Sequence, residues 1–258
     1  MAQIVERVAR KMRSVRDRIL IRMAHRTVER AKTDPRITYP CYKSFDEFID
    51  VRRLKSLDGY ITEGIEKHIR TREDEKFYTG PLTLGAAAAK FPGSRIIYLS
   101  QYVHPTRPSS YYDLDEGDLW GRTDDSKQFS LLMDFIETLP FKSFGRMMIM
   151  YDASGSAVTA HRDHSQLDTC HEFVWFRTNL SKPFYMFNQR TGDKRYVETY
   201  SAWFDTCNQF HGVDAKPGVA FSVRVDGKFS DEFRARIPVP EYNRASTAAL
   251  WACSGKTK

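Results

Sequence analysis

No apolar run in this 258-residue chain comes near the roughly 20 residues that a membrane-spanning helix needs. The N-terminal region has charges throughout, where a secretion signal would carry an uninterrupted apolar core. Cysteine is scarce. Cys41, Cys170, Cys207 and Cys253 stand far apart with no CxxC pair, which fits free thiols in a reducing, cytoplasmic setting better than a disulfide framework. There is no internal repeat. A charge excess is also lacking outside one segment. Residues 1–33 hold ten Lys and Arg against three acids and so carry the whole net charge of +7, while the rest of the chain holds 30 of each. A basic arm on a neutral body gives no ground for nucleic-acid binding by that body.

What is present is a composition 41% hydrophobic and 13% aromatic, enough for one large domain with decorations or two small ones. Ile4, Val8, Met12, Val15, Ile19 and Met23 recur at helical spacing with arginines on the other faces. Two readings of that helix stand: packing on the core or on a second subunit, and contact with a membrane surface or an anionic partner. Ser44-Phe45-Asp46-Glu47 reads as a capping box opening a helix through about Leu57, and 61–73 as a second, charged helix. Arg95–Val103 reads as a strand. Residues 104–125 read as a long loop, with Tyr111, Tyr112 and Trp120 as candidate substrate contacts. Residues 126–139 carry Phe129, Leu132, Met133, Phe135, Ile136 and Leu139 at the period of an amphipathic helix.

From Phe144 onward the pattern changes to short strand candidates: Met147–Tyr151, Glu172–Leu180, Pro183–Asn188, Tyr196–Tyr200, Ala202–Asp205 and Val219–Val225. Helices first and strands second predict an α+β chain. Its expected parts are an N-terminal helical region with at least one core strand over 1–140, a β catalytic core over 141–237 and a tail over 238–258.

The chemistry concentrates in that second half. After the apolar run Met147–Tyr151 and the turn Asp152–Ser156 comes His161-Arg162-Asp163. On an extended backbone positions 161 and 163 share a face and Arg162 points away. His211, 48 residues after Asp163, can complete a trio of two imidazoles and one carboxylate, the donor set that holds Fe(II) with positions left open. A lone HxD is a weak signal; the strand and turn before it and the residues after it give it weight. Val219–Asp226 alternates so that Arg224 faces opposite Val223 and Val225. An inward arginine needs an anion, either a dicarboxylate ligand or a nearby acid of the chain itself. Asp205 is a candidate to orient a ligand histidine. Zinc bound by His164, Cys170 and His171 is disfavoured, because those residues lack a partner at a zinc-site spacing.

Taken together, residues 144–230 resemble the non-haem Fe(II)/2-oxoglutarate-dependent oxygenases, nearest the aspartyl/asparaginyl β-hydroxylase and free-proline hydroxylase branch. The resemblance rests on the strand and glycine turn before His161-Arg162-Asp163, on Arg177 in an apolar strand, on Trp203-Phe204-Asp205 followed by His211, and on Arg224-Val225-Asp226. It departs from the branch in having Asp214 where an Asn is usual, and Tyr200-Ser201-Ala202 where Gly-Glu precedes the tryptophan. The resemblance implies a double-stranded β-helix (jelly roll, cupin-like) core with the N-terminal helices packed on it. It implies iron held by His161, Asp163 and His211, and 2-oxoglutarate held by Arg224 with Arg177 as a second basic contact. It also implies O₂-dependent hydroxylation of an amino acid, free or in a peptide, with succinate and CO₂ as products. A cupin-like metal-binding protein without oxygenase activity and a metal-dependent hydrolase are the alternatives. An oxygenase repairing alkylated bases is disfavoured, because those proteins carry a further Arg six residues after the co-substrate arginine and position 230 is Ser.

Overall fold

The computed structural model describes residues 42–71, 94–106, 109, 113–152, 155, 157–163, 172–188, 192–206 and 209–236. Twelve strands are formed among them. They are β1 (Lys43–Ser44), β2 (Ser94–Tyr98), β3 (Ser100–Tyr102), β4 (Trp120–Arg122), β5 (Phe141–Asp152), β6 (Val158–His161), β7 (Phe173–Phe176), β8 (Phe184–Phe187), β9 (Lys194–Tyr196), β10 (Ser201–Trp203), β11 (Phe210–Val213) and β12 (Ala220–Phe229). A six-stranded sheet runs β1-β10-β7-β12-β5-β2 and a four-stranded sheet β6-β11-β8-β9, with every pairing antiparallel. Counting β5 to β12 as one to eight, the larger sheet contains the order 6-3-8-1 and the smaller one 2-7-4-5. That interleaving is the connectivity of a jelly roll, whose closure leaves few free edges. Strands β1 and β2 extend the larger sheet at its two edges.

Side-chain alternation assigns each face of the larger sheet a different job. In β12, Val223 and Val225 turn outward, whereas Ser222, Arg224 and Asp226 turn toward the smaller sheet. The outer face is covered by helices α1 (Val51–Ser56), α2 (Asp58–Thr71), α3 (Asp125–Gln128) and α4 (Ser130–Ile136). Leu54, Ile61, Ile65, Phe129, Leu132 and Phe135 join Ile97, Ile149, Val223 and Val225 in one apolar cluster. Phe135 meets Phe176 of β7 edge-on at 5.5 Å. Gly64 brings α2 down on Phe129, since a Cβ there would lie 2.6 Å from its ring. The inner face is filled with aromatics: Trp175 of β7 lies 4.8 Å from Phe184 of β8, which also meets Phe204 at 5.1 Å. A short helix α5 (Asp231–Arg236) follows β12 and packs Phe233 on Phe45 and Phe229.

Several sequence expectations shift. The capping box at Ser44 does not open a helix. Ser44 lies in β1, and Asp46 instead accepts from the amides of Tyr200 and Ser201, binding the segment to β10. The helix starts at Val51, capped by the Asp50 carboxylate accepting from Arg53 N at 2.9 Å. The second helix begins at Asp58 rather than 61. The helix expected at 126–139 breaks in two at Phe129, and the strand expected at 95–103 divides at Leu99 between two sheets. Within the stretch expected to be loop, Trp120–Arg122 pairs with β3. The strand expected at Tyr196–Tyr200 lies earlier, at Lys194–Tyr196. The N-terminal helical stripe, all four cysteines, Tyr111, Tyr112, residues 164–171 and the C-terminal tail lie outside the described residues. Among the described residues no helix is long and apolar enough to cross a membrane.

Candidate metal centre

β6 and β11 are paired so that His161 and His211 stand directly opposite one another. Their rings lie 4.6 Å apart. Asp163 follows two residues after His161, its amide bonded to the Thr206 carbonyl at 2.9 Å, which turns the chain back over the end of β11. One ligand atom from each of the three lies within 4.8 Å of the others. Asp163 Oδ1 is 3.2 Å from His211 Nε2 and 3.8 Å from His161 Nε2.

Each ring is oriented from behind. His161 Nδ1 lies 2.9 Å from the Thr159 carbonyl and His211 Nδ1 lies 3.3 Å from that of Gln209. A proton on Nδ1 donated to a carbonyl leaves the Nε2 lone pair facing the shared space, which is the tautomer a metal ligand needs. Main-chain carbonyls thus occupy the position proposed for Asp205. Beside His211, a Cβ at Gly212 would fall 2.5 Å from Tyr185 Oη and 2.7 Å from the Val158 carbonyl, so only glycine lets the strands close here. Phe184 stacks 5.8 Å from the His211 ring and Phe204 lies 5.4 Å from it, forming an apolar back wall.

Arg224 enters this cluster from β12. Nη1 donates to Asp163 Oδ2 at 2.8 Å, while Nε and Nη2 both donate to Asp226 Oδ1. The guanidinium lies 4.0 Å over the Phe173 ring. The remaining Asp226 oxygen accepts from Arg146 Nε at 3.0 Å. Burial alone would raise the Asp163 pKa, but His211, Arg224 and His161 outweigh it and hold the carboxyl well below its usual range. The carboxylate therefore stays ionised, with Oδ2 clamped by Arg224 and Oδ1 turned toward the two histidines.

Arg177 is not brought to this cluster. It lies four residues along the chain from Phe173, about 13 Å by strand rise. Its guanidinium donates to the carbonyls of Thr199, Lys182 and Val197. Burial lowers its pKa to about 10, with the nearby Tyr42 and Asp46 opposing. Asp226 and Arg146 were not singled out as site residues from sequence, although the inward set Ser222, Arg224 and Asp226 is visible in the alternation of β12.

The donor set fits Fe(II): two imidazole nitrogens on adjoining strands and one carboxylate oxygen two residues past the end of β6. A second observation bears on a co-substrate. Trp175, the cross-strand partner of Arg224, carries a buried Nε1 with no acceptor among the described residues. An oxygen-rich ligand would satisfy that donor.

No family model matches the chain, and no curated protein does. Among solved structures the chain is similar to a prolyl-4-hydroxylase from Pseudomonas putida, at 13% identity and TM-score 0.37 over 78% of this chain and 98% of that one. It is also similar to a Trichoplax adhaerens prolyl hydroxylase solved with a hypoxia-inducible-factor peptide, at 11% identity and TM-score 0.43 over 86% and 95%. A viral collagen prolyl hydroxylase from Paramecium bursaria Chlorella virus-1 matches at 11% identity and TM-score 0.33 over 72% and 93%. At such identities and scores, what the site can do rests on this chain's own side chains.

Proposed function

We propose that the protein is an Fe(II)- and 2-oxoglutarate-dependent dioxygenase that hydroxylates an unactivated C–H bond of an amino acid, free or within a peptide, with release of succinate and CO₂. The observation that carries this reading is the convergence of His161 Nε2, His211 Nε2 and Asp163 Oδ1 on one space, with the other carboxylate oxygen already held by Arg224. His161, Asp163 and His211 would hold the iron, which with 2-oxoglutarate and O₂ supplies the oxidising chemistry.

The protein's part is positional. Carbonyls of Thr159 and Gln209 fix the two imidazole rings. Arg224 keeps Asp163 ionised and turned inward, and Asp226 with Arg146 keeps Arg224 in place. Such supporting groups typically matter by 10- to 100-fold in metal affinity, roughly. Phe173, Phe184 and Phe204 keep water from the inner side of the cluster and strengthen each charge interaction there.

The test is succinate release by the Fe(II)-loaded protein with 2-oxoglutarate in air, screened against amino acids and peptides for stimulation. The reading expects turnover that requires O₂ and 2-oxoglutarate together. Hydrolytic use of the same three ligands would survive removal of both, and that result would reject the dioxygenase.

A further inference from the structure

All the hydrogen bonds of the Arg224 guanidinium described above end on two carboxylates of the chain, Asp163 and Asp226, and Arg146 takes the second oxygen of Asp226. Two guanidiniums and two carboxylates balance one another there. The Nε and one N–H on each Nη of Arg224 are thus already committed to acids of the chain, which sets this guanidinium to hold Asp163 and Asp226 in place.

A different cation stands two residues back along β12. Ser222 shares the inner face with Arg224, one pleat repeat or about 7 Å away. Lys182, in the turn between β7 and β8, reaches this level. Its Nζ lies 3.2 Å from the Met150 carbonyl and 3.4 Å from Ser222 Oγ. The residue is only 6% exposed. These contacts are a neutral carbonyl and a hydroxyl. Burial lowers the lysine pKa to about 8; Asp152 favours the charge and Arg177 opposes it. At neutral pH the ammonium is therefore charged, in surroundings that make a charge expensive. Trp175, the cross-strand partner of Arg224, carries an Nε1 that lacks an acceptor among the described residues, and Phe184 lies 4.8 Å from the Trp175 ring and 5.8 Å from the His211 ring. A buried cation one pleat repeat along β12 from Arg224 and an orphaned N–H donor on the same inner face suit the distal part of an extended five-carbon 2-oxo diacid.

We infer that Lys182, with Ser222 beside it and the Trp175 N–H on the same inner face, anchors the distal carboxylate of the 2-oxo diacid, and that Arg224 is a positioning residue for Asp163. This rests on the function proposed above, since it presupposes a 2-oxo acid at the metal. It moves the anchor away from the arginine to which the sequence pattern points.

The experiment is calorimetric titration of the Mn(II)-loaded protein with 2-oxoglutarate and with 2-oxopentanoate, the same chain without the distal carboxylate. Wild type is expected to prefer the diacid by about tenfold or more, the scale of one charge-assisted hydrogen-bond pair. Lys182→Met is expected to bind the two acids alike with unchanged Mn(II) affinity. Trp175→Phe, which keeps a ring but removes the N–H, is expected to weaken diacid binding several-fold. Arg224→Lys is expected to weaken Mn(II) binding and keep the preference. Retention of the preference in Lys182→Met, or its loss in Arg224→Lys with full Mn(II) affinity, overturns the assignment. A wild type that binds Mn(II) without discriminating the two acids rejects the anchor alone. One that binds no Mn(II) rejects the proposed function with it.

Discussion

Two neighbouring levels of the inner face, at Arg224 and at Ser222, are built on different electrostatic plans. At the cluster end, Arg224 and Arg146 are matched by Asp163 and Asp226, and each carboxylate oxygen of Asp226 has its own guanidinium. At the other end, Lys182 is buried against a carbonyl and a hydroxyl, and the neighbouring Arg177 spends its donors on main-chain carbonyls. The self-neutralised end holds side chains in place. At the Lys182 end the buried cation touches a carbonyl and a hydroxyl, with Asp152 as the opposing charge, and it is there that the incoming carboxylate is proposed to dock. A buried arginine is thus no sign of a ligand site until its partners are counted.

The strongest way to break this contrast lies at the cluster. His211→Ala removes one of three donors, and metal affinity should fall by at least about 100-fold, more than loss of a supporting group would give. Calorimetry with Mn(II) checks it, and an unchanged affinity would mean that the trio does not bind metal. Asp226→Ala attacks the same end from behind. It leaves two buried guanidiniums short of a partner and should destabilise the fold by about 3–5 kcal/mol, read by chemical denaturation.

How much of this was legible in the sequence depends on the range of the forces involved. The convergence of His161 and Asp163 follows from strand periodicity, and the inward face of Arg224 from the alternation in β12. What Arg224 touches did not follow, because its partners are set by the register of β12 against β5 and β7 rather than by local pattern. Strands β6 and β11 are only four residues each and do not stand out as strand candidates in the sequence pattern, although they carry both histidines. Lys182 gave no signal at all. It lies in a turn of the chain, where lysine is ordinarily solvated, and only the fold folds it inward. The false capping box at Ser44 failed for a related reason: Asp46 found better partners in the amides of Tyr200 and Ser201, more than 150 residues away.

The outer face supplies a control. Ile65→Ala empties a fully buried position beneath the helices and should cost about 2–5 kcal/mol of stability. Its Mn(II) affinity should stay at the wild-type value; a loss of metal there would blur the division between the two faces. At the far end the expected change has the opposite sign. The Lys182 pKa is about 8 in the fold against an ordinary 10.5, so the folded chain binds fewer protons across that window and stability rises with pH through it. Lys182→Met should therefore gain up to about 3 kcal/mol at pH 7, a gain that shrinks as pH rises from 8 and is gone above about 10.5. Denaturation at pH 7 and at pH 10.5 reads the difference, and equal stability of the two proteins at pH 7 would argue that the ammonium is not held at a cost.

The most direct test of the whole account is an anaerobic titration of the purified chain with Fe(II) in the presence of 2-oxoglutarate, followed by the visible charge-transfer absorption that chelation of Fe(II) by a 2-oxo acid produces. The account predicts one Fe(II) per chain, and no absorption in His211→Ala or Asp163→Ala. Absence of the absorption in the wild type, or its persistence in both variants, would contradict the claim that His161, Asp163 and His211 hold the metal.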